Sequence, residues 1–289
     1  MRRQFKDTIM ALAKEDENLV LLFGDVSVYL FNEYQRLYPD RFYNVGICEN
    51  TIIAMAAGMA KMGFRPYVHS IAPFMTERSY EHIKLDVAYN RFPVNIVTCG
   101  ATFDYAWDGA THHCYTDLEI LRMLPGMRVF QPGSTAELDS FIRSTHFDDT
   151  PSYYRLSDHP HDIDVRGVPG KGEVIRNAGA ETTVVTAGPL LGNVVEACKD
   201  LPVNIVYFGT IKPFDAAALE PFRAGHILVV HDAYGLYESV AAVPGLDLHS
   251  HRPGDAFCSC YGTLPEIRHS LKLDPEGIRE AVKGVMNNA

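Results

Sequence analysis

Two consecutive α/β domains, each a mostly parallel sheet covered by helices, are predicted by three features of this sequence. Short apolar runs alternate with helical-period segments through residues 3–156, the pattern of a parallel sheet wrapped on both faces. A polar stretch rich in Pro, Gly, Asp and His interrupts the alternation between Ser157 and Glu181. Beyond it the alternation restarts. The predicted boundaries are residues 1–160 for the first domain, 161–180 for a linker and 181–289 for a smaller second domain.

In chain order, residues 3–15 place Phe5, Ile9, Leu12 and Ala13 on one helical face, and Leu19–Phe23 follows as an uncharged strand. Arg65–His69, Val94–Thr98, Met127–Phe130 and Ser152–Leu156 read as further strands, separated by helices near 51–62, 77–90, 116–123 and 134–147. Within the polar stretch only Gly172–Arg176 resembles a strand. The second domain then offers strands at Thr182–Thr186, Val203–Phe208 and Ile227–His231, with helices near 190–200, 215–223, 234–242 and 275–286.

A chain of 289 residues with 47% hydrophobic content has material for two ordinary cores. Its formal charge of −10 argues against nucleic acid or an anionic membrane surface as partner, because both are bound through an excess of Lys and Arg. No run approaches the roughly 20 apolar residues that cross a bilayer. The opening Met1-Arg2-Arg3-Gln4-Phe5-Lys6 leads into an amphipathic segment and not a signal core, so a cytoplasmic location is expected. The six cysteines form no C-x-x-C pair and are expected to be mostly reduced and buried. Asp158, His159, His161 and Asp162 are expected to form a solvated loop around Pro160, and no metal ligand set is assigned. No G-x-G-x-x-G or Walker loop is present to hold a nucleotide phosphate.

Glu49 is the residue with most chemical promise. It follows Tyr43-Asn44-Val45-Gly46-Ile47-Cys48 and opens a small-residue helical segment, where unpaired amides favour a carboxylate and partial burial makes it chemically available. Taken alone, it reads first as a helix N-terminal charge, since acidic residues are common in first turns for local reasons. The order of the surrounding motifs tips that balance: Phe23-Gly24-Asp25 before it, then Ser70-Ile71-Ala72-Pro73-Phe74, then Asp108-Gly109-Ala110-Thr111-His112-His113, then Leu124-Pro125-Gly126. Thr210-Ile211-Lys212-Pro213-Phe214-Asp215 and Leu273-Asp274-Pro275-Glu276-Gly277-Ile278 continue it. Together these resemble the C-terminal half of transketolase, its pyrimidine-binding and C-terminal domains, over nearly the whole chain.

The resemblance implies a small subunit of a split thiamine diphosphate enzyme. Such a cofactor reacts at C2 of its thiazolium ring, and a carboxyl hydrogen-bonded to pyrimidine N1′ turns the neighbouring 4′-nitrogen into a base. Glu49 would be that carboxyl, aided by a mostly apolar pocket. Phe74 would pack on the pyrimidine, with Ile71 where the family has a second aromatic residue. Asp108 and His112 would bind sugar hydroxyls and move protons, and His113 replaces the family's usual Gln. The domain that holds diphosphate and Mg2+ is missing, so a separate N-terminal-type subunit would supply it, with two copies of each chain in the assembly.

Three departures touch the substrate. Asp158 stands where the family has a phosphate-gripping Arg, Tyr29 replaces a Ser, and Cys99 aligns near a family His. Arg3 remains from that set, with Arg155 as a displaced substitute. The expected activity is transfer of a two-carbon ketol unit from a ketose or ketose phosphate donor to a non-standard acceptor, a carrier protein group or a sugar of specialised metabolism. Two alternatives stay open: a 2-oxo-acid dehydrogenase β subunit passing its unit to a lipoyl arm, and a non-catalytic partner subunit. Lys212, Asp215, His231 and Asp232 are expected to serve packing.

Overall fold

Every apolar run found in the sequence takes a place in one of two sheets. The computed structural model describes residues 1–287. The first part of the chain forms α1 (Arg2–Leu12), β1 (Leu19–Phe23), α2 (Asn32–Leu37), β2 (Phe42–Asn44), α3 (Glu49–Lys61), β3 (Arg65–Ile71), α4 (Ala72–Thr76) and α5 (Tyr80–His82). A π-helical stretch, Ile83–Tyr89, extends α5. There follow β4 (Asn95–Cys99), α6 (Asp117–Arg122), β5 (Arg128–Phe130), α7 (Thr135–Thr145) and β6 (Ser152–Arg155). The remainder forms β7 (Gly172–Arg176), β8 (Thr182–Ala187), α8 (Leu191–Cys198), β9 (Asn204–Phe208), β10 (Thr210–Lys212), β11 (His226–Val230), α9 (Leu236–Ala241), β12 (Asp247–His251), α10 (Leu264–Ser270) and α11 (Pro275–Asn287).

The larger sheet has the order β10-β5-β6-β4-β3-β1-β2 and the smaller β12-β11-β8-β9-β7. All neighbours run parallel except β10 beside β5 and β7 beside β9, both antiparallel edges. Side-chain alternation sorts the core. Val20, Leu22, Val68, Ile96 and Tyr153 face the same cluster as Val185, Val206, Phe208 and Val229, so one face of each sheet lines a shared core. Leu19, Leu21, Tyr67, Val97 and Tyr154 point oppositely, toward α1 and α7. Val184, Ile205, Leu228 and Val230 do the same toward α8 and α11.

Several elements were not anticipated. β2 and β10 are three residues long, too short for a periodic signal, and β12 is a half-exposed edge strand reading Asp-Leu-His-Ser-His without an apolar run. β10 has a consequence for domain organisation: this segment of the second half crosses back as an edge of the first sheet. From it Lys212 donates to the carbonyls of Arg122 and Leu124 at the end of α6, at 2.8 and 2.6 Å. His231 is fully buried and reaches Gln131 across the same seam, 2.8 Å away. The linker is docked and not wholly solvated, which corrects the expectation for His161. This ring is buried against Tyr207, and its backbone N–H donates to the Gly133 carbonyl at 2.9 Å.

Glu137 closes the same seam. Its carboxylate, 2% exposed, accepts from the Gly133 amide and the Tyr207 hydroxyl, each at 2.6 Å. A Cβ on Gly209 would lie 1.9 Å from Glu137 Oε1, so only glycine fits beside it. Burial raises this carboxyl from an ordinary 4.5 to about 7. A carboxyl that holds its proton more tightly when folded stabilises fully below its unfolded value, and the contribution is lost as pH rises through about 7. The expected result is that the stability of the native chain, relative to Glu137→Gln, improves by roughly 1 kcal/mol from about pH 8 to about pH 6. Urea midpoints of both chains at the two pH values check this, and a constant difference would remove the argument.

Candidate active site

The chemistry-bearing residues gather at the carboxyl ends of adjacent parallel strands, where open α/β sheets bind ligands. After β1 the chain turns through Gly24-Asp25-Val26-Ser27, with Asp25 and Ser27 in the left-handed region at φ 63° and 61°. Asn44 at the end of β2 steadies this turn: Oδ1 accepts from the Asp25 amide at 3.1 Å and Nδ2 donates to Asp25 Oδ1 at 3.0 Å. Gly24 is required by a close approach, since a Cβ there would lie 2.8 Å from Ser70 Oγ.

Glu49 is the first residue of α3 and only 2% exposed. Its Oε1 accepts from Ser70 Oγ at 3.2 Å, and its Oε2 pairs with Arg78 Nη1 at 2.9 Å. The Arg78 side chain is 49% exposed, so the carboxylate is capped by a cation that still touches solvent. The mostly apolar pocket expected for Glu49 is thus corrected: an ion pair and a hydroxyl hold it.

Arg78 also links Glu49 to the aromatic residues. Its guanidinium carbon lies 4.5 Å from the Phe74 ring centroid, and the His112 ring lies 5.1 Å from that of Phe74, edge-on. Ile71 ends β3 near Gly100, whose lack of a side chain leaves room for Tyr105; a Cβ there would sit 2.5 Å from the Tyr105 ring. Tyr105 is in turn edge-on to His112. Glu49, Phe74 and His112 are therefore brought together, through an arginine that the sequence reading passed over. The sequence offered no local signal for it, since α4 ends at Thr76 and Arg78 lies in the turn that follows.

Asp108 and His112 flank Gly109, where φ is +70° and a Cβ would lie 2.2 Å from the ring of Tyr261. This glycine lets a loop of the second half lie against the Asp-Gly-Ala-Thr-His segment. Asp108 is exposed, and His112 Nδ1 meets Thr111 Oγ1 at 2.9 Å. Among the described residues the Asp108 and His112 side chains share no hydrogen bond. His113 is buried edge-on to Phe103, its pKa lowered by burial, and neither ring nitrogen has a hydrogen-bond partner among the described residues.

The expected phosphate-binding residues do not converge. Asp158 is bound by Arg2, Nε to Oδ1 at 3.2 Å and Nη2 to Oδ2 at 2.8 Å, while Arg3 is exposed. Arg155 is corrected as a substrate ligand: its side chain is fully buried, with Nε 3.0 Å from Asp117 Oδ2, inside the core and not at the surface. Tyr29 is exposed, and Cys99 is buried 3.4 Å from the Tyr105 hydroxyl, its thiol pushed up to about 11 by burial. No helix among the described residues is long and apolar enough to cross a membrane.

Comparison with known proteins places this geometry in context. Residues 1–159 match the family described as transketolase, pyrimidine binding domain. An uncharacterized 33.6 kDa protein in the fasciation locus of Rhodococcoides fascians is 32% identical, over 98% of this chain and 93% of the relative. A putative transketolase C-terminal section of Methanocaldococcus jannaschii is 31% identical, over 98% and 95%. A solved structure described as a split gene transketolase, inactive β4 tetramer, has the same fold, with a TM-score of 0.88 at 24% identity over 99% of this chain and 98% of that one.

Proposed function

This chain belongs to the transketolase family, its first 159 residues being a pyrimidine-binding domain, and from that membership we propose that it is the small subunit of a split, thiamine diphosphate-dependent ketol transferase. The single observation that carries the reading is the run of contacts from the buried carboxylate of Glu49 through Arg78 and Phe74 to His112. The residues present fit the pyrimidine half of the cofactor: a carboxyl that can hold a proton, beside an aromatic ring and the apolar Ile71. The chemistry thiamine diphosphate supplies when bound is covalent transfer of a two-carbon unit through C2 of its thiazolium ring.

Glu49 holds and returns a proton at its carboxyl, with Ser70 fixing one oxygen and burial excluding water. Arg78 is half-exposed on a flexible stem and can leave the second oxygen when a better partner arrives. Phe74 forms one wall, worth on the order of 1 kcal/mol for an aromatic partner. His112 has Nδ1 engaged by Thr111, which leaves Nε2 to exchange a proton with a substrate hydroxyl; Asp108, exposed, binds a hydroxyl beside it.

Diphosphate and Mg2+ are assigned to a separate N-terminal-type subunit, two copies of each chain closing the assembly. The solved relative described as an inactive β4 tetramer of a split gene transketolase supports dependence on such a partner. Trp107 and Tyr261, 70% and 65% exposed, stand at the Gly109 loop where that subunit would cover them. The Arg2–Asp158 pair favours an acceptor other than an ordinary aldose phosphate, because a carboxylate there repels phosphate and its arginine is already engaged.

The deciding experiment mixes this chain with its diphosphate-binding partner, thiamine diphosphate and Mg2+, and offers ketose phosphate or pyruvate as donor. Ketol transfer that needs both chains is the expected result. Pyruvate decarboxylation would replace this reading with the 2-oxo-acid dehydrogenase one, and a complex without cofactor or turnover would leave a non-catalytic subunit. With ketose donors, an aldose phosphate is expected to be a poor acceptor, with a KM well above that of the preferred acceptor; full activity with it would overturn the altered-acceptor reading.

A further inference from the structure

β12, the edge strand of the second sheet, carries Asp247-Leu248-His249, so that Leu248 turns toward the shared core while Asp247 and His249 share the other face. Its neighbour β11 runs parallel and sets His226 opposite Asp247. The three side chains converge. His226 Nδ1 is 2.5 Å from Asp247 Oδ2, His249 Nε2 is 3.5 Å from Asp247 Oδ1, and one ligand atom of each lies within 4.8 Å of the other two. His251, next on the same face, is diverted: its Nε2 lies 2.6 Å from the Lys272 carbonyl.

We infer that His226, Asp247 and His249 bind a divalent transition-metal ion of the zinc type, with its fourth position open to water. Two imidazoles and one carboxylate form a borderline donor set that suits zinc and its neighbours; magnesium and calcium prefer all-oxygen sites. Tetrahedral zinc holds nitrogen and oxygen ligands at about 2.0–2.2 Å, which puts the ligand atoms roughly 3.4 Å apart. The spacing of His249 and Asp247 already matches, and the tighter His226 pair opens through Asp247, whose side chain is 58% exposed.

An independent observation points the same way. His249 Nε2, although its side chain is 38% exposed, is itself shielded from solvent and makes no hydrogen bond, facing Asp247 Oδ1 only at ion-pair distance, and a cation in the cluster would give it a partner. An ion here would clip the edge strand to β11 across the segment that joins them, adding stability by mass action in proportion to its concentration.

The test uses the full chain, stripped of metal, titrated with Co2+ and then competed with Zn2+. A Cys48→Ser, Cys260→Ser background removes the exposed and half-exposed thiols as competing ligands. One ion per chain, a tetrahedral Co2+ absorption spectrum and a thermal midpoint raised by Zn2+ are expected. Asp247→Asn and His249→Asn should each weaken binding at least about tenfold and abolish the thermal shift. The absence of saturable binding, or binding unchanged in both variants, overturns the inference.

Discussion

Replacing Glu49 with Gln is expected to lower turnover of the assembled enzyme by about 10²- to 10⁴-fold, the range over which a positioned proton-transfer group acts. Gln keeps the length and shape of the side chain and can still accept from Ser70, so the helix start and the pocket should survive. What disappears is the ability to hold and return a proton. If Glu49 were only a charge at the beginning of α3, the same change would cost less than about 1 kcal/mol of stability and leave turnover intact. Measuring kcat and cofactor affinity on the same preparation separates the two: a large fall in kcat with a small change in affinity supports proton handling. Unchanged kcat would remove Glu49 from the mechanism.

How much of this was legible in the sequence follows from how far each residue's partners lie along the chain. The strands of both sheets read correctly where they are uncharged runs, such as Leu19–Phe23 and Asn204–Phe208, because burial on both faces demands such runs. Glu49, Phe74 and His112 could be singled out from motif order, and the structure draws them together. Arg78 and Ser70 were not, since their importance comes from reaching a helix start more than twenty residues away, a relation that only the packing of α3 beside β3 creates. Arg155 was misjudged for the opposite reason. The resemblance offered it as a displaced substitute for a phosphate-binding arginine, while its place at the end of β6, on the same face as Tyr153, turns it into the shared core. The cluster of His226, Asp247 and His249 was not legible because, beyond the alternate spacing of Asp247 and His249, it takes strand register to set His226 opposite Asp247.

The fate of Arg155 yields the second large effect. Removing its partner by Asp117→Ala should destabilise the chain by about 3–5 kcal/mol, the usual consequence of leaving a buried charge uncompensated. Both side chains are wholly excluded from solvent, and the pair spans β6 and the first turn of α6. Tyr153 donates its hydroxyl to the same carboxylate, and Arg155 donates to the Cys114 carbonyl, so the loss would spread to the segment that carries His112 and His113. A double replacement, Asp117→Leu with Arg155→Met, removes both charges and should recover most of that stability, as apolar pairs of similar volume often do. Urea unfolding of the three chains measures this directly. The double variant also separates structure from substrate binding: if Arg155 gripped a substrate phosphate, acceptor KM would rise sharply even in a fully folded protein. With the guanidinium locked in the core, KM should hold, and the acceptor preference proposed above would have to trace to Arg2 and Asp158.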